Sequence, residues 1–343
     1  MRKRSIWWIL LALIMTMALV AGCGGGDKTK QSGQAGKPAD QAKARDLNLA
    51  TGTTSGVYYV LGNGMAQMWN AKVPGVRVTA QATEASVQNM NLLQKKEADI
   101  GFSMNQVVGN AYEGKDKFQG RANKDLRVMT GLYPNVVQIV APAKANVKSV
   151  KDFEGKRFVP GAAGSGTEVS CREIFALYGL DYMNKKNLKA DFVGFTEAVE
   201  LLKNGQSEGA FISAGVPNSA IMDLSNSANV KLISLEKDII DKICKEMPWY
   251  YPTVIKANTY KGQTEDVQTV AQGNLLVTRA DLPDDLIYQL TRAIYENQKD
   301  LINSHSAAKD INKENALKGL MGVPVHPGAA KYFQEIGLKV PGQ

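Results

Sequence analysis

The chain has 343 residues, of which 44% are apolar and 22% are charged, the balance of an ordinary soluble globular protein. Its 41 basic and 33 acidic residues leave a formal charge of +8. Three basic residues (Arg2, Lys3 and Arg4) stand at the amino end, and the others are spread along the chain. A nucleic-acid-binding protein would show a clustered basic face, so we expect no nucleic-acid partner.

An apolar run, IWWILLALIMTMALVAGC, follows those three basic residues. A positive n-region, an apolar h-region and small residues before the cleavage point are typical of a secretory signal. The ending at Cys23 resembles a bacterial lipobox, which predicts a lipoprotein signal peptide over 1–22 and a lipid on Cys23. The alternative is a transmembrane anchor, because about 17–25 apolar residues span a bilayer. The lipoprotein interpretation predicts an exported protein, held by its lipid at the outer face of the cytoplasmic membrane (cell surface or periplasm).

Residues 23–45 contain no large apolar side chain, which predicts a flexible tether. The body from Asp46 onward is long enough for two domains. Besides Cys23, the chain carries Cys171 and Cys244, which could pair in an exported protein. Cys171 lies on an apolar helical stripe, however, which favours a buried free thiol.

Strand and helix patterns alternate along this body, which predicts an α/β protein with largely parallel sheets. Ligands of such sheets bind at the carboxyl ends of the strands. The predicted strands cover 47–51, 76–80, 99–103, 136–141, 157–159, 189–193, 209–213, 230–234 and 275–278. The predicted helices carry apolar stripes (Tyr58, Leu61, Met65 and Met68; Val87, Met90 and Leu93) or cover 167–179, 196–203, 218–224 and 283–297.

No catalytic or cofactor constellation is visible. The two histidines, His305 and His326, lie apart from any nucleophile context, and there is no G-x-S-x-G. The cysteines are too scattered for a zinc site, and no calcium loop is present. The run GAAGSGT has Walker-A glycine spacing, but Thr167 stands where the phosphate-binding lysine belongs. We therefore expect no enzyme activity, no metal and no cofactor.

Two glycine-rich turns, 51–59 (TGTTSGVYY) and 161–167 (GAAGSGT), each follow a predicted strand and open a helix. Such a turn aims free N–H groups and a positive helix end at an anion. The alternative is that Ser165 or Thr167 only caps its own helix. Two such turns predict facing walls of a cleft that closes on an anionic solute.

The sequence resembles the TAXI-type solute receptors of TRAP transporters (tripartite ATP-independent periplasmic transporters). The motifs that carry the resemblance span the whole body: LNLATGTTSGVYYVLGNGMAQMWN, ADIGFSMNQ, GLYPNVVQIVA, GAAGSGTE, ISAGVPN, NLLVTRADLP and HPGAAKYFQE. The resemblance implies an α/β type II periplasmic-binding-protein fold, two lobes joined by hinge strands. Lobe 1 would comprise 46–137 and 251–343, and lobe 2 would comprise 138–250, with hinges near 138–142 and 250–255.

That family captures a small carboxylate or amino acid, here glutamate-like, between its lobes and passes it to membrane permease subunits. The resemblance therefore implies an extracytoplasmic solute-binding protein. An enzyme on the same scaffold is an alternative, since fold does not settle function, but no nucleophile, base or metal cluster supports it. A ligand sensor for a membrane signalling partner is a second alternative.

The expected ligand-binding residues follow the strand ends and the hinge. We expect at least one tyrosine of the first turn to be helix core, Tyr250 is equally consistent with packing, and Glu168 should face outward. The expected site comprises Ser55, Tyr58 and Tyr59; Asn105 and Gln106 in a ligand-facing loop; Gly164, Ser165, Gly166 and Thr167; Ser213 and Pro217; and Tyr250.

Overall fold

The computed structural model describes residues 44–342. The predicted signal peptide, Cys23 and nearly all of the predicted tether lie outside the described residues. Arg45 pairs with Val76 in the first strand, so this residue belongs to the folded body and not to the tether. Within 44–342, no helix combines the length and the apolar content needed to cross a bilayer.

The described strands form one 10-stranded sheet. Their bounds are β1 Arg45–Ala50, β2 Val76–Gln81, β3 Ile100–Met104, β4 Leu126–Pro142, β5 Arg157–Val159, β6 Lys189–Ala190, β7 Gly209–Ala214, β8 Val230–Ile233, β9 Tyr250–Ile255 and β10 Val267–Arg279. The order across the sheet is β2-β1-β3-β10-β4-β7-β5-β6, with β8 added on β4 and β9 on β10.

The helices follow these strands in a regular α/β succession. They are α1 Val57–Lys72, α2 Ser86–Gln94, α3 Asn105–Glu113, α4 Gly166–Leu177, α5 Phe195–Lys203, α6 Ser219–Ser227, α7 Lys237–Glu246, α8 Asp284–Glu296, α9 Gln298–Ser304 and α10 Pro327–Glu335. The stripe of apolar residues predicted for α1 is buried along its whole length, because residues three and four apart share a helix face.

The prediction of largely parallel sheets is wrong. β1 is parallel to β2 and β3, and β5 is parallel to β6 and β7. Between these two ends, β10 runs antiparallel to β3, β4 and β9, and β4 runs antiparallel to β7 and β8. The strand patterns predicted only short parts of β4 and β10, which have 17 and 13 residues. Their pairing across more than a hundred residues has no local signal in the sequence.

The apolar residues are buried in two sets of clusters, one on each side of the central strands. One set draws on residues 47–133 and 275–340, together with Val169 of α4. The other set draws on residues 137–270. β4 and β10 pass between the two sets, because Gly131 still pairs with Leu275 while Val136 already pairs with Ala214. The two halves are thus joined by the long strands β4 and β10. The predicted hinge near 250–255 is instead β9, whose end residues Tyr250 and Ile255 are buried with the second set.

Candidate functional site

A cavity of about 40 Å³ lies between the two halves, at the carboxyl ends of β1, β3, β5 and β7. The first half contributes Gly52, Thr53, Gly56, Val57, Tyr58, Glu84, Ala85, Met104, Tyr133 and Asn135. The second half contributes Ala162, Ser165, Gly166, Thr167, Gly194, Phe195, Ser213 and Ala214. The space accommodates a carboxylate-sized group, whereas pockets for drug-sized ligands have roughly 300–1,000 Å³.

Five helices begin at this cavity. The residues that precede the first turns of α1, α2, α3, α4 and α5 all line it: Gly56, Ala85, Met104, Ser165 and Gly194. Each helix start carries a partial positive charge and N–H groups without an internal acceptor. Among the described lining residues, only Glu84 has a charged side chain, and it is exposed. The positive potential at the cavity wall therefore comes from the helix N-termini and not from cationic side chains.

Ala85 adds backbone strain at the same place. Its φ of 69° lies in the left-handed region, which costs a residue with a Cβ about 1–3 kcal/mol. The Ala85 N–H donates to Thr83 Oγ1 at 3.0 Å, and the Thr83 hydroxyl in turn donates to Asn89 Oδ1 at 2.7 Å. These bonds hold the strained residue at the start of α2. Strain of this kind clusters at ligand sites, which agrees with the position of Ala85 on the cavity wall.

Two buried hydroxyls line the cavity without a hydrogen-bond partner among the described residues. They are Ser213 Oγ, at the end of β7, and Tyr133 Oη, on β4, in residues that are only 2% and 1% exposed. Burial holds the pKa of the Tyr133 hydroxyl well above its ordinary value, so that group stays protonated at neutral pH. Buried polar groups are normally paired; both hydroxyls are therefore available to a ligand.

Tyr58, in the first glycine-rich turn, is both a core residue and a residue of the cavity wall. Its ring belongs to the first core, and its hydroxyl donates to Asn274 Oδ1 at 2.5 Å. The Asn274 amide donates in turn to Tyr133 O at 2.8 Å and to Asn135 Oδ1 at 2.9 Å. This buried network fixes two side chains of the cavity wall, Tyr58 and Asn135, and the backbone of Tyr133 to β10, one of the two strands that join the halves.

The second glycine-rich turn, residues 161–167, caps helix α4 and also contacts the first half. Ser165 Oγ accepts from the Glu168 N–H at 3.0 Å, so Ser165 caps α4 while it also lines the cavity. Gly164 does not line the cavity, and its carbonyl accepts from the Gln88 N–H at 3.1 Å. A Cβ on Gly166 would lie 2.7 Å from both Met104 Sδ and Ser86 Oγ of the first half. The glycine thus permits the close approach of α4 to α2 and β3.

Several expected ligand-binding residues lie away from the cavity: Ser55, Tyr59, Asn105, Gln106, Gly164, Pro217 and Tyr250. The Ser55 carbonyl accepts from the Ser219 hydroxyl at 3.0 Å, and Tyr59 is half-buried on α1. Pro217 is exposed, and Tyr250 is buried in the second core. Their roles in binding remain predictions that the cavity does not support.

The ligand-facing loop predicted at Asn105 and Gln106 is wrong. These residues form the first turn of α3, which follows β3 without any intervening loop because Met104 ends the strand and caps the helix. Both side chains are buried. Asn105 lines a separate depression near Trp249 and Tyr251. A polar run after a strand is typical of a loop, and nothing local shows that a helix begins at once.

Glu168 faces inward, contrary to expectation. It is 2% exposed, accepts a hydrogen bond from Tyr182 Oη at 3.1 Å, and lies 3.4 Å from Lys117 Nζ and 3.5 Å from Arg172 Nε. The two cations offset the charge that would otherwise make this buried position costly. Lys117 belongs to the first half, so this ion pair also joins the halves.

Both histidines lie at helix ends within residues 44–342. His326 accepts the Gly328 N–H at 3.2 Å and His305 the Ala307 N–H at 3.0 Å, so each caps a helical turn. Across residues 44–342, no group of three or more histidine, cysteine or acidic side chains could hold a metal ion. Cys171 is buried and free, as the sequence favours, and Cys244 is free as well.

Two lobes joined by long strands, with a cavity at the strand ends between them, define a periplasmic-binding-protein-like fold. Comparison with known proteins agrees. The chain belongs to the NMT1-like family, whose model matches residues 49–337. Members of this family are non-enzymatic solute-binding receptors.

Solved structures show the same fold at low sequence identity. PhnD1 from Prochlorococcus marinus (MIT 9301), in complex with methylphosphonate, is 11% identical, with 85% of this chain and 97% of that chain covered and a TM-score of 0.54. A protein from Bordetella bronchiseptica RB50 is 17% identical, with 85% and 80% covered and a TM-score of 0.52. These likenesses concern the fold.

Proposed function

We propose that this protein is an exported receptor that captures a small carboxylate between its lobes and delivers it to a membrane permease. The observation that carries the proposal is the convergence of five helix N-termini on one cavity whose described lining residues include no cation. A carboxylate there accepts hydrogen bonds from backbone N–H groups and from the two unpaired hydroxyls. Bonds to an ionised acceptor are roughly twice as strong as neutral ones.

The motifs quoted above favour a TRAP-type permease and a glutamate-like ligand. Glu84, exposed at the rim, is the lining carboxylate that can accept from a ligand ammonium group. An ABC importer is the other transporter class for this fold. Cross-linking the receptor to its permease in native membranes, followed by mass spectrometry of the partner, distinguishes the two. Mass measurement of the amino-terminal peptide tests the proposed lipid on Cys23.

We keep the proposed lobe division, 46–137 with 251–343 against 138–250, with one adjustment that the cores favour. Ile255, Val267 and Val270 are buried with the second set of clusters. The second boundary is therefore better placed after Val270 than at 250/251. The first boundary is supported by the change of partners on β4 at Val136, which pairs with Ala271 of β10 and with Ala214 of β7.

Small carboxylates are expected to raise the melting temperature of the purified protein. A ligand that binds only the folded state adds about 2.7 kcal/mol at 100-fold excess over Kd, which corresponds to roughly 5–10 °C. A thermal-shift screen should include L-glutamate, dicarboxylates and short monocarboxylates, each beside a matched control in which one carboxylate is replaced by a primary amide. Acids and amides with equal shifts would contradict anion recognition, and a screen without any hit would contradict the proposal.

Ser213→Ala is expected to weaken carboxylate binding by about 1–3 kcal/mol, or roughly tenfold to a hundredfold, with little change in the melting temperature of the ligand-free protein. The reason is that Ser213 Oγ has no described partner to lose. Ser165→Ala is the contrasting variant, because it removes a helix cap and should lower stability by about 1 kcal/mol. Calorimetric titration with the best acid of the screen, beside melting curves, measures both quantities. Unchanged affinity in Ser213→Ala would remove this hydroxyl from the site.

A further inference from the structure

Glu173 on α4 forms a partly buried contact with α3 of the opposite half. Gln106 Nε2 donates to Glu173 Oε2 at 3.0 Å, and Gln106 is only 1% exposed. This contact lies beside the cavity wall, since Met104 precedes Gln106 by two residues and lines the cavity. Closing the lobes therefore moves the Glu173 carboxyl from solvent into the interface between them.

The charges around Glu173 do not compensate a carboxylate. Arg172, its neighbour on α4, pairs with Asp116 at 3.0 Å and with Glu168 at 3.5 Å. Lys117 pairs with Glu168 at 3.4 Å. Asp116 and Glu168 oppose a negative charge on Glu173, and Arg172 favours it. The buried Tyr250 hydroxyl on β9 is also near and is neutral.

The hydrogen bonds of this contact do not by themselves decide the protonation state of Glu173. The Gln106 N–H that reaches Glu173 favours the carboxylate, while Gln106 Oε1 is buried and has no partner among the described residues. A protonated carboxyl carries an O–H donor that a reversed Gln106 amide would accept, but the N–H groups of that amide would then lose Glu173 as their acceptor. Burial at the interface and the acidic neighbours Asp116 and Glu168 are what favour the protonated form.

We propose that lobe closure takes up one proton at Glu173, so that mild acid favours the closed, ligand-holding receptor. This regulation rests on the proposed function, in which closure holds the ligand. Burial raises the pKa of Glu173 from 4.5 to about 7 in the closed arrangement. A group whose pKa is raised on closure favours the closed form most below its open-state pKa. That advantage falls through the window from about 4.5 to 7 as the pH rises.

The test needs no ligand, because the lobes can be locked by a disulfide. A Cβ on Gly194 would lie 3.7 Å from Thr53 Cβ across the cavity, within the roughly 3.5–4.5 Å of disulfides. The full-length chain carries Thr53→Cys and Gly194→Cys, with Cys23 and Cys244 changed to serine. Carbon-13 NMR of the glutamate carboxyls, in the oxidised and the reduced protein, follows the titration. The same chain with Glu173→Gln assigns the Glu173 signal.

The expected result is a Glu173 midpoint near 7 in the locked protein and near the ordinary 4.5 after reduction. Equal midpoints in the two states would overturn the proposal. If the disulfide does not form, small-angle X-ray scattering measures the radius of gyration instead. The radius of the wild type should be smaller at pH 5.5 than at pH 8.5. The radius of Glu173→Gln should be small at both pH values. Glu97→Gln, at an exposed position, should behave like the wild type. A wild type with the same radius at both pH values would then overturn the proposal, whether or not any carboxylate binds.

Discussion

Replacing Gly166 with valine is expected to weaken carboxylate binding by roughly tenfold to a hundredfold. A Cβ at this position would lie 2.7 Å from Met104 Sδ and from Ser86 Oγ, which belong to the opposite lobe. Overpacking of this kind costs about 1–3 kcal/mol, and every 1.4 kcal/mol is tenfold in affinity. The cost arises only when the lobes close, so the melting temperature of the open, ligand-free protein should change little. Calorimetric titration with the best acid of the thermal-shift screen measures the loss.

The matched control is a pair of alanine variants, one at Gly166 and one at Gly101. A Cβ on Gly101 would make ordinary contacts of 3.4 Å with Asn89 and 3.5 Å with Leu93, both in the same half. Gly101→Ala should therefore keep its affinity, while Gly166→Ala should lose part of it and Gly166→Val more. Equal affinities in the two alanine variants would show that the approach of α4 to α2 is not needed for binding.

Asn274→Ala is expected to lower the free energy of unfolding by about 3 kcal/mol or more. The substitution removes the shared partner of the Tyr58 hydroxyl, the Tyr133 carbonyl and the Asn135 amide oxygen. Each buried group left unpaired costs about 1–3 kcal/mol. The corresponding fall in melting temperature is roughly 6–12 °C. Urea unfolding followed by circular dichroism measures the difference directly.

Asn204→Ala is the control for the asparagine prediction, because Asn204 is exposed at the end of α5 and should change stability by less than about 0.5 kcal/mol. Tyr58→Phe removes one branch of the network and should cost less than Asn274→Ala. A loss in Asn274→Ala no larger than in Asn204→Ala would mean that the network does not stabilise the fold.

The sequence predicted those parts of the site that depend on local geometry. Thr167 and Ser213 line the cavity, because a residue at the end of a strand or at a helix start faces the strand ends whatever the rest of the fold does. Their part in ligand binding stays a prediction. Tyr58 was expected as either core or pocket, and it contributes to both. The expectation that the protein is not an enzyme agrees with its family, whose members are non-enzymatic solute-binding receptors.

The sequence missed the residues whose role depends on partners far along the chain. Tyr133 and Asn135 lie within the quoted motif GLYPNVVQIVA, yet nothing local distinguishes them from strand core. They face the cavity because Asn274, about 140 residues away, fixes that part of β4. Glu168 was expected in solvent, and it is buried because Lys117 and Arg172 meet it there. Which charged side chains meet depends on how elements far apart in the chain pack together, so the sequence pattern does not predict this pairing.

Local sequence patterns were enough to predict the α/β class, the positions of most strands and the helix faces that would be buried. These properties follow from short-range periodicity: two residues per repeat in a strand and 3.6 in a helix. Local patterns also predicted the two glycine-rich helix starts, since backbone conformation there depends on a few neighbouring residues. The mixed sheet, the long strands β4 and β10 that join the halves, and the meeting of five helix starts at one cavity are visible only in the folded chain. Those features depend on contacts between residues far apart in the chain, and the free energy of such contacts is set by the packing of whole elements.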